Sequence, residues 1–172
     1  MTKIVGILNY TPDSYSDGGK HNTLALAQER VELLLAEGAD LIDIGAEATS
    51  YGVEPLTAEQ EWERLADLLP VLEPSKISID TYHLETMRKV IDLGYMMIND
   101  VAGGKSDEVL QLIAANPHVK YVLMHSIVIP ADKRFRVKKY EDIIDWARAN
   151  IQRCLDFGIQ QEQLIFDPGL GL

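Results

Sequence analysis

The chain has 172 residues, 47% of them hydrophobic and 25% charged, a balance that belongs to a globular domain and excludes low complexity and disorder. Its 27 acidic and 16 basic residues leave a net charge of −11, a field that repels nucleic acid and anionic membrane surfaces. One cysteine, Cys154, excludes a disulfide framework, and no run approaches the roughly 20 apolar residues of a membrane span, so the expected setting is the reducing cytoplasm.

The first strand is expected over Ile4–Leu8, an aliphatic run that ends at Asn9. A hydroxyl-rich, glycine-ended loop, Thr11–Gly19, follows and has the make-up of a lid. Leu24–Glu37 places Leu24, Ala27, Val31 and Leu34 on one helical stripe and stops at Gly38, a C-cap residue. Leu41–Ile44 is the second strand. Thr57 and Gln60 have capping-box spacing ahead of a helix carrying Trp62, Leu65, Leu68 and Leu69, limited by Pro70. Strand Ile77–Ile79, helix Leu84–Leu93 with Gly94 behind it, and strand Met96–Ile98 come next. A helix opening at Ser106 follows, then strand Tyr121–Met124, helix Glu141–Phe157 before Gly158, and strand Leu164–Phe166.

Strand and helix alternate throughout, the signature of an α/β fold with a parallel sheet, and the unbroken apolar strands suit a sheet covered on both faces. A faint repeat agrees: Gly38-Ala-Asp-Leu-Ile-Asp43 and Gly94-Tyr-Met-Met-Ile-Asn99 each place a polar residue five positions after a helix-ending glycine. No Gly-x-Gly-x-x-Gly turn follows any strand, which favours a TIM (β/α)8 barrel over a dinucleotide-binding sheet. A closed barrel takes eight strands and about 250 residues. Residues 1–172 are therefore expected to form an incomplete barrel domain of about six βα units, with the last two absent and an apolar sheet edge uncovered.

Polar residues mark the strand ends in register: Asn9 after the first, Asp43 around the second, Asp80 after the third, Asn99 and Asp100 after the fourth, His125 after the fifth and Asp167 after the sixth. One such Asp is commonly only the N-cap of the next helix. In a barrel, however, the carboxyl ends of the strands converge on one mouth, where active sites are built. Amide oxygens, amide donors and carboxylates suit a neutral heterocycle with alternating donors and acceptors better than a bare phosphate.

Five phrases resemble dihydropteroate synthase, a pterin-binding enzyme family. They are Gly6-Ile-Leu-Asn-Tyr-Thr-Pro-Asp-Ser-Tyr-Ser-Asp-Gly-Gly19, Gly38-Ala-Asp-Leu-Ile-Asp-Ile-Gly45, Ser78-Ile-Asp-Thr81, Ile98-Asn-Asp-Val101 and Asp167-Pro-Gly169. They stand in the family's order and span the chain. The resemblance implies a (β/α)8 barrel and a transferase of folate synthesis. Such an enzyme joins 6-hydroxymethyl-7,8-dihydropterin pyrophosphate to p-aminobenzoate with magnesium assistance, and is expected to be a homodimer when full length. By that similarity Asp80, Asn99 and Asp167 hold the pterin, and Val101 and Met124 line its slot. Asn9 is the metal-linked residue, Asp17 and Asp80 stabilise a cationic pterin methylene, and Thr49 meets p-aminobenzoate.

The family's second loop usually reads Glu-Ser-Thr-Arg-Pro-Gly, whereas this chain has Glu47-Ala-Thr-Ser-Tyr-Gly52, with Ser50 and Tyr51 where Arg and Pro are usual. Two alternatives therefore stay open: a pterin-binding methyltransferase domain of similar fold, and a pterin-binding paralogue without turnover. The basic stretch Lys133–Lys139 reads as a solvated face, His125 as a structural residue and Cys154 as packing.

Overall fold

The computed structural model describes residues 2–11, 24–47, 54–128, 137 and 139–170. Asp17 and most of the Thr11–Gly19 loop, Thr49, Ser50 and Tyr51, and most of the basic stretch lie outside the described residues. Two units follow from the chain's own contacts, one built on Met1–Ala48 with Leu56–Met96 and the other on Met97–Leu172.

In the first unit three parallel strands stand side by side in chain order: β1 (Val5–Asn9), β2 (Leu41–Gly45) and β3 (Ile77–Asp80). Helix α1 (Leu24–Ala36) joins β1 to β2, α2 (Ala58–Leu65) lies between β2 and β3, and α3 (Leu84–Asp92) follows β3. Parallel pairing puts residues of one row on the same face, and neighbours along a strand on opposite faces. One set, Leu8, Ile42, Ile44, Ile77 and Ile79, is buried. Gly6 belongs to it: a Cβ there would stand 3.0 Å from Ile42 Cδ1 and 3.4 Å from Leu34 of α1, so this is the helix-covered face. Ala27 and Val31 of the predicted α1 stripe are buried, as are Met87 and Val90 of α3.

The capping box forms as the sequence predicts, with the Gln60 N–H donating to Thr57 Oγ1 at 3.2 Å and the Thr57 N–H donating to Gln60 Oε1 at 2.9 Å. The helix is shorter than its apolar pattern: α2 ends at Leu65, and Leu69–Val71 is a separate 3-10 turn. Pro70 sits inside that turn and lacks the N–H that a continuing α-helix needs. Tyr95 donates its hydroxyl to the Leu69 carbonyl at 2.6 Å, and burial raises its pKa to about 12.

The second unit repeats the plan with parallel strands β4 (Met97–Asp100), β5 (Lys120–Met124) and β6 (Leu164–Asp167), connected through α4 (Asp107–Ala115) and α5 (Tyr140–Asp156). Ser106 caps α4 by accepting the Val109 N–H at 3.3 Å. Leu110 and Ile113 of α4 are buried, as are Ile98, Tyr121 and Leu123 of the strands. Cys154 of α5 is buried and its thiol is pushed up to about 11 by burial, which leaves it inert and bears out its reading as packing. No described helix is long and apolar enough to cross a membrane.

Strands β1 and β6 carry exposed apolar side chains, Val5 and Ile7 on one and Ile165 and Phe166 on the other, with Ile7 66% exposed. Contiguous exposed aliphatics of this kind drive association. The 172-residue chain should self-associate at micromolar concentration. Ile7→Lys should reduce that by light scattering while changing stability by no more than about 0.5 kcal/mol, as for other exposed positions.

Candidate active site

The face of β1–β2–β3 opposite the helices is polar at its carboxyl end. Asn9, Gly45 and Asp80 form one row, and Ile7, Asp43 and Ser78 form the row two residues earlier. Asn9 and Asp80 are thus the last residues of their strands, and Asn9 belongs to β1 rather than following it. Asp43 lies mid-strand, one layer deeper than the strand-end position assigned from sequence. Between Asn9 and Asp80 the row holds Gly45, where a Cβ would come 3.1 Å from Asp80 Oδ2 and 3.4 Å from its Cβ. Absence of a side chain there makes room for the aspartate.

The second unit has an equivalent face. Asn99 is in row with Val122 and Ile165, and Met124 is in row with Asp167 two residues further along, so Asn99, Met124 and Asp167 share one side. Val101 follows β4 directly and is buried, as is Met124. Asp167 ends β6 in a tight turn: its Oδ1 accepts the Gly169 N–H at 2.8 Å and its carbonyl accepts the His125 N–H at 2.8 Å. Gly169 has φ +66°, and a Cβ there would fall 2.4 Å from the His125 carbonyl oxygen. The Asp167-Pro-Gly169 phrase is thereby explained: only glycine fits the left-handed turn that aims the aspartate.

Asp100 departs from the sequence assignment to the mouth. It alternates with Asn99, so it points to the helix side, where it is buried. Its carboxylate accepts the Ala102 N–H at 2.7 Å, the Gly104 N–H at 2.9 Å and the Tyr121 hydroxyl. Burial pushes its pKa up against the pull of those three donors. This is a loop anchor.

His125 stacks edge-on against Trp146 of α5, with ring centroids 5.1 Å apart, in keeping with the structural role read from sequence. Burial lowers its pKa.

A second polar group in the first unit was not singled out in the sequence. Glu47, two residues beyond β2, accepts the Tyr82 hydroxyl at 2.8 Å and the Leu56 N–H at 3.2 Å on Oε1, while its Oε2 lies 3.4 Å from His83 Nε2. Glu61 of α2 is only 1% exposed and accepts the Thr81 hydroxyl at 2.7 Å. Burial raises the Glu61 pKa. For Glu47, burial pushes the same way, but the contacts with His83, Tyr82 and Leu56 outweigh it and the carboxyl falls below its ordinary value. His83 is raised by its contact with Glu47, against the effect of burial. A signal for Glu61 was present: it precedes Leu65 by four residues, so it lies on the apolar stripe of its own helix.

Short polar side chains at the carboxyl ends of parallel strands are the ligand-binding arrangement of α/β barrels. Residues 5–172 match the family described as pterin binding enzyme, and the chain belongs to that family. It is 36% identical over 173 residues to a dihydropteroate synthase of Clostridium beijerinckii, covering 99% of this chain and 63% of that protein. Among solved structures it resembles a Xanthomonas albilineans dihydropteroate synthase with 4-aminobenzoic acid, with TM-score 0.87 and 33% identity over 99% of this chain and 62% of the other. It also resembles an Anaplasma phagocytophilum dihydropteroate synthase with bound 6-hydroxymethylpterin-monophosphate, with TM-score 0.83 and 37% identity over 98% of this chain and 68% of the other. The fold class is therefore α/β, the described residues supplying six strands of the (β/α)8 barrel plan, and the chain spans somewhat under two thirds of the curated relative's length.

Two outcomes test this geometry. Gly169→Ala should destabilise the chain by at least about 1–2 kcal/mol, the penalty of a left-handed L-residue, measured by urea denaturation. The His125 pKa is depressed from 6.5, so its neutral form contributes stability above that pH and loses it on acidification. The difference in unfolding free energy between wild type and His125→Gln should therefore shrink as pH falls below 6.5.

Proposed function

We propose that this chain is the pterin-binding part of a dihydropteroate synthase acting in the cytoplasm. It would join 6-hydroxymethyl-7,8-dihydropterin pyrophosphate to p-aminobenzoate to give 7,8-dihydropteroate and pyrophosphate. One observation carries the reading most directly: Asp80 and Asp167 are each the last residue of a parallel strand, and Asn99 stands one residue before the end of another.

On this reading Asp80 and Asp167 accept N–H groups of the pterin, and the Asn99 amide pairs with its remaining donor and acceptor edge. A carboxylate accepts two parallel N–H bonds from a 2-amino group and the adjacent ring N–H, and burial strengthens them. Val101 and Met124, both buried, make the apolar walls of the slot. Thr49 contacts p-aminobenzoate.

Magnesium fits the residues at the end of β1. Asn9 is an exposed neutral oxygen donor, two strands from Asp80 in the same row, and hard oxygen donors in small number suit an ion that keeps most of its waters and bridges to phosphates. When bound, Mg²⁺ supplies neutralisation of the pyrophosphate charge. The C–O bond to pyrophosphate breaks, and Asp17 and Asp80 stabilise the methylene cation electrostatically. The aryl amine then forms the C–N bond and gives up a proton. Residues 1–172 count as one barrel domain on this proposal, and the full-length protein is a homodimer.

Ser50 and Tyr51, where the family usually has Arg and Pro, favour a second reading: pterin binding without turnover. Calorimetric titration with 6-hydroxymethylpterin, then with its pyrophosphate ester and Mg²⁺, and a pyrophosphate-release assay with p-aminobenzoate in the full-length protein separate the two. Release establishes the synthase, and binding without release establishes the paralogue. Asp80→Ala and Asp167→Ala should each lose about 1.5–3 kcal/mol of pterin affinity, roughly ten- to hundredfold. Wild-type affinity in both variants would overturn the site assignment.

A further inference from the structure

The Glu47, Glu61 and His83 group is made of residues other than the pterin contacts proposed above and is built like a metal site. Each of the three offers a ligand atom, and these atoms all lie within 4.8 Å of one another. They come from three different places in the first unit: the segment after β2, the body of α2 and the residue before α3. Helices and strand ends thus fix them independently, as a preorganised site requires.

Both carboxylates are steadied by hydroxyl donors, Tyr82 on Glu47 and Thr81 on Glu61, with the Leu56 N–H also on Glu47. Outer hydrogen bonds of this kind orient metal ligands. Glu47 Oε1 receives those bonds and leaves Oε2 for another partner. Glu47 Oε2 and His83 Nε2 are shielded from solvent, yet neither makes a hydrogen bond. The Glu47 side chain is only 8% exposed, and its Oε2 faces the imidazole across 3.4 Å. That spacing is close to the separation of two ligands sharing one ion at about 2.0–2.2 Å each. The two atoms face each other as an ion pair that falls outside hydrogen-bond geometry, and an ion held between them would satisfy both.

We infer that Glu47, Glu61 and His83 form a binding site for a divalent first-row transition ion of the Zn²⁺ type. One imidazole with two carboxylates is the donor set of such ions, whereas Mg²⁺ prefers oxygen ligands alone and retains its waters. Three protein ligands leave at least one position for water. The site is distinct from the magnesium proposed at Asn9, and it stands whether or not the chain has synthase activity.

The test is titration of the metal-stripped chain with Co²⁺, read by visible d–d absorption, and with Zn²⁺ by calorimetry. One ion per chain should bind, with intense low-coordination Co²⁺ bands that Zn²⁺ abolishes and excess Mg²⁺ does not. His83→Gln and Glu47→Gln, checked for folding by circular dichroism, should each weaken Zn²⁺ binding at least about tenfold. Glu85→Gln, an exposed carboxylate on α3, should leave it unchanged. The wild-type titration decides even if a variant fails to fold. Absence of stoichiometric Co²⁺ and Zn²⁺ binding overturns the inference, as does binding of equal strength in folded His83→Gln and Glu47→Gln.

Discussion

Parallel strand register is the constraint on which the candidate site depends. Burial fixes that register, because Leu8, Ile42, Ile44, Ile77 and Ile79 must all face the helices, and a slip of one residue would expose every one of them. Once they are placed, alternation dictates the opposite face. Asn9, Gly45 and Asp80 then fall in one row with no interaction among themselves being required. The polar end of the sheet is held in place by the apolar side that never touches a ligand.

The same alternation separates polar side chains that serve the fold from those that lie on the candidate site's face. Asn99 and Asp100 are neighbours in sequence, yet one lies on the site face and the other is enclosed by Ala102, Gly104 and Tyr121. Asp100 needs those donors because a buried carboxylate without them would be strongly destabilising. Asp167 combines both roles in a different way, since one oxygen fastens its own turn through the Gly169 N–H. A side chain anchored by one atom loses little further entropy on meeting a ligand, which is the physical basis of preorganisation.

Most of the fold was legible because unbroken apolar strands, the Thr57 capping box and glycine-ended helices each have a local cause. Pro70 also marked the right place, although Leu68 and Leu69 extended the apparent helical pattern past Leu65. Facing was harder to read. Nothing local to the Ile98-Asn-Asp-Val101 phrase distinguishes the residue on the site face from the one that anchors a loop, and only the pairing of Asn99 with Val122 separates them. The Glu47, Glu61 and His83 group was less legible still. Its members are 14 and 22 residues apart in sequence, by their numbers, and are joined by tertiary packing rather than by any spacing rule. Glu61 alone left a trace, as an acid on an apolar stripe.

Charge links the pterin proposal to its metal requirement. On the synthase proposal, a chain of net charge −11 with aspartates at the strand ends would repel a pyrophosphate ester, while the same aspartates would favour the N–H edge of the pterin and the cation left after pyrophosphate departs. On that proposal the site would oppose the anionic part of the substrate while favouring the ring, an opposition relieved as pyrophosphate leaves. Ser50 stands where the family usually has a side-chain cation, so on the same proposal more of the neutralisation would fall to a divalent ion near Asn9. Neutral Asn9 suits that task better than a carboxylate would: it contributes a hard oxygen without adding to the negative charge that the phosphates already meet.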